Sequence, residues 1–293
     1  MNTNDAIPLS TVFSVLSIIG CIFNTATTIM FKISKTAMGK MVIALSIMDF
    51  IFSLSYLIIL FQISHSFICQ ILSFFWTFGF LGSLSWSCSF AHCLYRSIKR
   101  VDDHTADSFL RQYWVISITL GFVFAVLAIC MEFWTLKIES HTCIHHVSTD
   151  PNFDWSGVII FLIPALLSSA FCCISYIAVV KELYHYRSEL FIELLIYPLI
   201  LIICDFPIAI RALYFTITGE RIASSWLYYI CPILLRSQGF FNALAFGLSK
   251  RIVHQYKRMC RQNRYNQDKL EDSLLYSQKQ GLETTSLPKF VVS

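Results

Sequence analysis

Hydrophobic residues along the chain form long continuous runs, which are separated by short polar connectors. A helix of about 20 apolar residues crosses a hydrocarbon core of roughly 30 Å. Seven runs approach or exceed this length, at residues 8–31, 41–63, 68–95, 113–134, 156–180, 190–217 and 226–248. Apolar positions are continuous within each run rather than alternating, and every backbone amide in lipid needs an internal partner. The pattern therefore predicts transmembrane helices and excludes a β-barrel.

Composition supports residence in a membrane. Of the 293 residues, 56% are hydrophobic and 14% are charged, whereas a soluble domain carries about 25% charged residues. A soluble helical protein of this composition would expose large apolar patches and aggregate. The first run lacks a basic leader and is followed by Lys32 and Lys35, so we expect a retained helix rather than a cleaved signal peptide.

The distribution of basic residues predicts the orientation, because Lys and Arg accumulate in cytoplasmic loops. One set of connectors holds nine basic residues, Lys32, Lys35, Lys40, Arg96, Lys99, Arg100, Arg111, Lys181 and Arg187. The opposite set holds two, Lys137 and Arg221. The sequence therefore predicts a multi-pass protein of the plasma membrane. It comprises an extracellular N-terminus (1–7), an all-α seven-transmembrane helix bundle (8–249), and a cytoplasmic juxtamembrane helix with a disordered tail (250–293).

Of the eleven cysteines, Cys69 and Cys143 are the two that this topology places clearly on the outer side. Disulfides persist in that compartment. We expect them to form a bridge that restrains the loop between the fourth and fifth helices; two free thiols are the alternative. No CxxC pair has a second cluster of ligands beside it, so the sequence predicts no metal site.

Polar residues inside the runs are rare and are expected to face the interior of the bundle. The charged ones in this group are Asp49, Glu132, Asp205, Arg211 and Arg236, and the amides are Asn24, Gln238 and Asn242. Counting the helical rise from the outer ends places Asp205 roughly 18 Å deep and Arg236 roughly 15 Å deep. We therefore expect an ion pair between these two; the alternative is that each faces water in an open cavity.

Asn24, Asp49 and Asn242 are expected to lie near one another in the inner half of the bundle. Such a cluster could join three helices as structural glue, or it could rearrange as a hydrated switch. Prolines within the runs remove backbone hydrogen bonds and favour kinks. The sixth run contains both Pro198 and Pro207, so it is the expected moving element.

Motifs in three of the runs resemble one receptor family. The segment SQGFFNALAFG (237–247) is similar to the QGxxNAxxYG pattern of the cyclic-AMP receptor-like family of social amoebae and other protists. The segment YPLILIICDFPIAIRALY (197–214) is similar to that family's YPxxxxxCWxPxxxxR pattern, and MVIALSIMDF (41–50) to its LSxxD segment. Secretin and adhesion receptors share a similar QGFF segment. The resemblance covers roughly residues 8–250 and implies a G-protein-coupled receptor.

Two positions depart from the family pattern. Asp205 stands where the family has Trp, and Phe246 stands where Tyr is expected. A charge at the first position puts cyclic AMP itself in doubt as the ligand. The third run ends in HCLYRSIKR (92–100) and lacks the Asp-Arg-Tyr triplet of rhodopsin-like receptors.

The resemblance implies an extracellular ligand and a cytoplasmic heterotrimeric G protein as partners. Residues expected to line the ligand cavity are Trp76, Glu132, Asp205, Arg211 and Arg236. Residues expected to face the G protein are Arg96, Lys99, Arg100, Lys181 and Arg187. Those expected to pack or switch the helices are Asn24, Asp49, Pro207, Gln238, Gly239 and Asn242, with Gly239 permitting a close helix approach.

Beyond the last run, LSKRIVHQYKRMCRQNR (248–264) fits an amphipathic helix on the anionic inner leaflet. Cys260 is a candidate for palmitoylation there, and a free thiol is the alternative. Phosphorylation of the Ser- and Thr-containing tail would add charge and recruit a receptor kinase or an arrestin-like protein; an inert tail is the alternative.

Other function classes have less support. The last run has no lysine for a retinal Schiff base, and no HExxH, GxSxG or paired-carboxylate motif predicts an enzyme. The sequence predicts no cofactor and no nucleic-acid partner. A small membrane transporter of seven-helix architecture remains the alternative, although the runs show no internal repeat.

Overall fold

The computed structural model describes residues 3–59, 66–98, 106–135, 158–183, 189–218, 226–249, 252–259 and 261. Its regular elements over these residues are all helical, which confirms the predicted all-α class. The main helices are α1 (Thr3–Met30), α2 (Ala37–Ile59), α3 (Ser66–Ile98), α4 (Ala106–Thr135), α5 (Ile163–Leu183), α6 (Glu189–Thr218), α7 (Trp226–Arg236) and α8 (Gln238–Gly247). A π-helical turn, Val158–Leu162, leads into α5.

Five helices of the described part of the chain are long and apolar enough to cross a membrane. Their apolar segments are Leu9–Met30, Ala37–Ile59, Phe67–Arg96, Phe109–Cys130 and Ile159–Lys181. They correspond to the first five predicted runs. The sixth run corresponds to α6, and the seventh to α7 together with α8.

Large apolar side chains cover the outside of these helices. Val115 on α4 is 59% exposed, and Leu167 and Ile174 on α5 are 66% and 68% exposed. Apolar surface of this extent marks an interaction site in a soluble protein, whereas hydrocarbon solvates it when every backbone amide is bonded within a helix. The chain is therefore a multi-pass helical membrane protein.

The helices differ in their distance from the centre of the bundle. In an apolar stretch of 18 residues within α2, 61% of the residues are buried, compared with 28% in the corresponding stretch of α4. Gly79 on α3 allows α2 to approach closely, because a Cβ there would lie 2.6 Å from the backbone nitrogen of Phe52. Close backbone approach at small residues is typical of membrane helix packing. Helices α2 and α3 thus form the centre of the bundle.

The turn between α1 and α2 is short and well defined. Lys32 has a φ of 56°, which is the left-handed conformation, and a short 3₁₀ segment, Ile33–Lys35, follows it. Thr36 then caps α2, because its Oγ1 accepts a hydrogen bond from the backbone N–H of Gly39 at 3.1 Å. This connection fixes α2 directly beside α1.

The seventh run does not form one continuous helix, contrary to the expectation from its hydrophobicity. The structure interrupts it at Ser237, between α7 and α8. Pro232 lies inside α7 and has no N–H to donate. The hydroxyl of Ser237 donates to the carbonyl of Leu234 at 2.8 Å, and hydroxyls that bond back into the preceding turn often bend helices.

Residues from Gly247 onward form a separate compact unit. Within it, residues 252–259 are helical. Ser249 begins this helix, because its carbonyl accepts a hydrogen bond from the N–H of Val253 at 3.0 Å. The expected juxtamembrane helix thus has a helical counterpart, while Cys260 and the tail beyond 261 lie outside the described residues.

Candidate functional site

A hydrogen-bonded polar cluster joins α2, α3 and α8 in the buried interior. Ser83 on α3 donates to Oδ1 of Asp49 at 2.5 Å, and the Nδ2 of Asn242 on α8 donates to Oδ2 of Asp49 at 2.8 Å. The Nε2 of Gln238 donates to the hydroxyl of Ser83 at 3.1 Å. Each carboxylate oxygen thus has a donor, as a buried charged group requires. We call these four residues the Asp49 cluster.

The spacing of the two amides explains why both reach the cluster. Gln238 and Asn242 are four residues apart and therefore lie on one face of α8. Both are almost fully buried, at 4% and 3% exposure. The predicted contact between Asp49 and Asn242 is present, and Ser83 joins it as a member that the sequence did not indicate.

Gly239 brings α8 against α1 beside this cluster. A Cβ at Gly239 would clash with the hydroxyl oxygen of Ser17 and lie 2.9 Å from the sulfur of Cys21. Ser17 in turn accepts a hydrogen bond from Ser53 of α2 at 3.0 Å. Helix α1 is therefore coupled to the cluster through a glycine contact and a serine pair.

Asn24 does not take the place that the sequence suggested. It is buried at 1% exposure, but its Oδ1 has no hydrogen-bond partner among the described residues. Its backbone carbonyl accepts a hydrogen bond from the hydroxyl of Thr28 at 2.7 Å. The expected triad of Asn24, Asp49 and Asn242 is thus reduced to a pair, and Ser83 and Gln238 complete the cluster instead.

Arg236 lies at the end of α7, directly before the interruption, and contacts an aromatic ring. Its Cζ lies 2.9 Å from the centroid of the Tyr56 ring on α2. A guanidinium over the face of an aromatic ring is attracted by the ring's quadrupole. The hydroxyl of Tyr56 is hydrogen-bonded to that of Ser10 on α1 at 3.1 Å. This arrangement links α1, α2 and α7.

The predicted ion pair between Asp205 and Arg236 is wrong. Asp205 on α6 is fully buried, and neither of its carboxylate oxygens has a hydrogen-bond partner among the described residues. The depth estimate placed the two residues at one level, but depth alone does not give the direction in which a helix presents a side chain. Arg236 is turned towards Tyr56 instead.

Trp76 belongs to an aromatic group between α2, α3 and the π-helical turn. Its ring centroid lies 5.6 Å from that of Phe52 and 5.0 Å from that of Phe161. Phe80 stacks nearly parallel to it at 6.4 Å. The tryptophan is half-buried, so it presents part of one face beyond this group.

On the side expected to face the cytoplasm, two of the predicted basic residues have described side chains. The guanidinium of Arg96 lies over the ring of Phe109 on α4, at 3.8 Å from its centroid. Lys181 is exposed near the end of α5. Lys99, Arg100 and Arg187 lie outside the described residues.

For several other predicted site residues, the side chain or the expected partner lies outside the described residues. The side chains of Glu132 and Arg211 lie outside the described part of their helices, and Pro207 is half-buried in α6. Cys69 is disulfide-bonded. Cys143 lies outside the described residues, so the pairing of Cys69 with Cys143 stays a prediction.

A bundle of apolar helices, tied together inside by a few polar contacts, defines the chain as a polytopic helical membrane protein. No family model matches the sequence. The chain is similar to the Cyclic AMP receptor-like protein G of Dictyostelium discoideum, with 29% identity over 167 residues. The match covers 54% of this chain and 30% of that relative, so the chain spans less than a third of the relative's length.

Proposed function

We propose that the chain is a G-protein-coupled receptor similar to the cyclic-AMP receptor-like proteins. The observation that carries this proposal is the similarity to Cyclic AMP receptor-like protein G, because a helical bundle by itself is compatible with many functions. In this proposal, α6 and the pair of α7 and α8 provide the sixth and seventh spans, with the N-terminus outside and the C-terminus in the cytoplasm.

The arrangement of polar contacts supports a two-state receptor. The Asp49 cluster connects α2, α3 and α8, while the contact between Arg236 and Tyr56 connects α2 and α7. The break at Ser237 separates these two sets of contacts. A ligand that binds near Arg236 and Trp76 would favour the active state only if it binds that state more tightly.

In this proposal the ligand lies beside Arg236 and Trp76, and these residues suggest its chemical class. Arg236 supplies a cation and the half-buried Trp76 supplies an aromatic face, while the ring of Tyr56 is 4% exposed and lies under the guanidinium. Together they suit a ligand that carries an anionic group next to a planar or apolar one. The panel of candidate ligands spans cyclic nucleotides and peptides, which can carry an anionic group, and amines, which should not bind if this ligand class is right.

Nucleotide exchange on a reconstituted heterotrimeric G protein tests the proposal. Full-length chain is purified, exposed to the panel, and assayed for ligand-stimulated GTP binding. The double variant Arg96→Glu/Lys181→Glu is expected to reduce exchange at least tenfold while leaving ligand binding intact. Lys35→Glu, at an exposed position in a different connector of the same face, is the matched control.

Topology is tested independently with tags on the two termini. Seven spans place the termini in opposite compartments, so an N-terminal tag should be stained on intact cells and a C-terminal tag after permeabilisation. Both tags in one compartment would contradict the seven-span receptor. If no ligand of the panel stimulates GTP binding although the protein is present at the cell surface, G-protein coupling would be contradicted.

One observation favours the transporter as a second candidate. Asp205 is a buried carboxyl group with no hydrogen-bond partner in the described bundle, and ionisable residues inside membranes often mark ion pathways. Proteoliposomes containing the chain should then show solute uptake driven by a proton gradient, and Asp205→Asn should abolish it. The absence of such uptake, together with G-protein activation, would favour the receptor.

A further inference from the structure

A cavity of about 450 Å³ lies between α3, α4 and α5. None of the four members of the Asp49 cluster lines it, and neither Arg236 nor Trp76 does. Its size is within the range of about 300–1,000 Å³ that small-molecule sites occupy. What this cavity can bind depends on the membrane location of the bundle and not on the proposed function.

The cavity opens to the outer surface of the bundle rather than to its centre. Its rim includes Ile116 and Leu120 of α4, which are 50% and 45% exposed, and Phe171 of α5, which is 41% exposed. These side chains belong to the apolar surface that hydrocarbon covers. A ligand can therefore enter from the lipid phase.

The two ends of the cavity differ in polarity. Leu81, Phe124 and Pro164 form one end, while His92, Gln112 and Tyr113 form the other. Leu81 and His92 are eleven positions apart on α3, so the two ends are separated by about 16 Å along the helix axis. The polar end lies where α3 ends and α4 begins, and the apolar end lies towards the middle of both helices.

Three hydroxyl and thiol groups in the middle of the wall, those of Ser85, Cys88 and Ser89, make contacts within the wall. The hydroxyls of Ser85 and Ser117 are hydrogen-bonded to each other at 2.9 Å. Ser89 donates to the carbonyl of Ser85 at 2.9 Å, and Cys88 makes a long contact to the carbonyl of Ser168 at 3.8 Å. Groups satisfied in this way do not require a polar ligand, so the middle of the cavity is effectively apolar.

At the polar end, His92 and Tyr113 form a hydrogen bond of 2.7 Å between Nδ1 and the phenol oxygen. If the phenol donates, the Nε2 of His92 carries a proton and can donate in turn, while the phenol oxygen keeps a free lone pair. The pair can thus serve one ligand hydroxyl group as both donor and acceptor. Gln112, which is exposed, adds an amide beside it.

The charge of the lining distinguishes among lipids. The described residues that line the cavity include no Lys, Arg, Asp or Glu. Two basic residues of the described chain flank the polar end without lining it: Arg96 places its guanidinium over the ring of Phe109, and the exposed Arg111 precedes Gln112 on α4. A phosphate headgroup would have to be bound by one of these flanking side chains outside the cavity, whereas a neutral hydroxyl group can be bound inside it by His92 and Tyr113.

We propose that this cavity binds a membrane sterol, with its hydroxyl group at His92 and Tyr113 and its ring system along the apolar wall. The flat rings of Phe109, Phe124 and Phe171 line the cavity and suit a rigid, planar hydrocarbon better than a flexible acyl chain, which would lose more conformational freedom on binding. The hydroxyl end then lies near the ends of α3 and α4 and the hydrocarbon lies towards the bilayer centre.

Photocrosslinking of the full chain with a photoreactive cholesterol analogue tests the proposal. The labelled peptides are expected to come from the cavity wall, and an excess of unlabelled cholesterol should remove the label. Ile116→Trp should reduce labelling about tenfold by filling the cavity. Ile118→Trp is the matched control, because Ile118 is 44% exposed on the same helix but does not line the cavity.

The polar end is tested with Tyr113→Phe, which removes the phenol oxygen and keeps the ring. Loss of one hydrogen bond should weaken competition by cholesterol about three- to tenfold, and competition by the corresponding hydrocarbon without a hydroxyl should not change. Equal labelling of Ile116→Trp and Ile118→Trp would overturn the proposal, as would stronger competition by an anionic phospholipid than by cholesterol. Thermal unfolding of each variant shows that labelling is compared between folded proteins.

Discussion

The bundle contains two buried aspartates in very different surroundings. Asp49 is 2% exposed and Asp205 is 0% exposed. Asp49 receives hydrogen bonds from Ser83 and Asn242, while the oxygens of Asp205 have no hydrogen-bond partner in the described structure. The two aspartates are thus buried to the same extent, but of the two only Asp49 has hydrogen-bond donors among the described residues.

The difference shows that a buried carboxyl group can either connect a bundle or weaken it. Removing a polar group from water costs free energy that hydrogen bonds must offset. At Asp49 two donors from two helices offset that cost and add directional contacts. At Asp205 no hydrogen bond from the described residues offsets that cost. The following variants test that contrast.

The largest effect is expected for Asp49→Leu. The substitution leaves the hydroxyl of Ser83 and the amide of Asn242 without their acceptor, and each unsatisfied donor costs about 1–3 kcal/mol. We expect a loss of about 3 kcal/mol in the free energy of unfolding, measured by denaturant titration in mixed micelles. Asp49→Asn keeps an acceptor oxygen and should lose less. Equal stability of Asp49→Leu and the parent protein would contradict the role of the cluster.

The next largest effect is expected for Gly239→Ala, which tests the packing beside the cluster. The added methyl group would overlap the hydroxyl of Ser17, and overpacking typically costs about 1–3 kcal/mol. We expect a loss of about 2 kcal/mol in the same titration. In the control, Gly121→Ala, the new Cβ meets the ring of Phe78 at 3.1 Å, so the loss should be smaller. The reverse order would show that α8 does not depend on this contact.

A smaller effect is expected from separating Arg236 and Tyr56. The stacking of a desolvated guanidinium on an aromatic ring contributes up to about 2 kcal/mol. A double-mutant cycle with Arg236→Gln and Tyr56→Leu should give a coupling energy of about 1–2 kcal/mol. Tyr56→Phe keeps the ring under the guanidinium and removes only the hydroxyl bonded to Ser10. The cycle with Tyr56→Phe should therefore give a smaller coupling energy than the cycle with Tyr56→Leu. A coupling near zero for Tyr56→Leu would argue against the stacked arrangement.

The smallest effect, of opposite sign, is expected for Asp205→Leu. Among the described residues no hydrogen-bonded partner is left behind, and replacing a buried polar group by an apolar one of similar volume is often neutral or stabilising. We expect the free energy of unfolding to stay unchanged or to rise by about 1 kcal/mol. A loss as large as that of Asp49→Leu would show that Asp205 has a stabilising partner.

The parts of the fold and of the site that follow from helical periodicity could be predicted from the sequence. The four-residue spacing of Gln238 and Asn242 predicted a shared face, and both residues reach the Asp49 cluster. Seven apolar runs predicted the helices, and five spans are found in the described chain. These predictions depend on local repeats, which the sequence displays directly.

The failures share one physical cause. Ser83 was missed because a serine in an apolar helix can bond to its own backbone and gives no sign of a partner. Tyr56 was missed, and Asp205 was wrongly paired with Arg236, because the rotation of one helix relative to another is set by tertiary packing. The interruption at Ser237 also depends on packing, since Pro232 alone does not indicate where the helix divides.

The division of the last span at Ser237 has a mechanical consequence. Arg236 and Gln238 are adjacent to this residue on opposite sides, yet they are anchored to different neighbours, one to a ring on α2 and the other to a hydroxyl on α3. Helical backbone hydrogen bonds, from the N–H of Ser237 to the carbonyl of Ile233 and from the N–H of Phe241 to the carbonyl of Ser237, continue across this turn. The two halves of the last span are therefore joined through the backbone, and each is held to a different neighbouring helix.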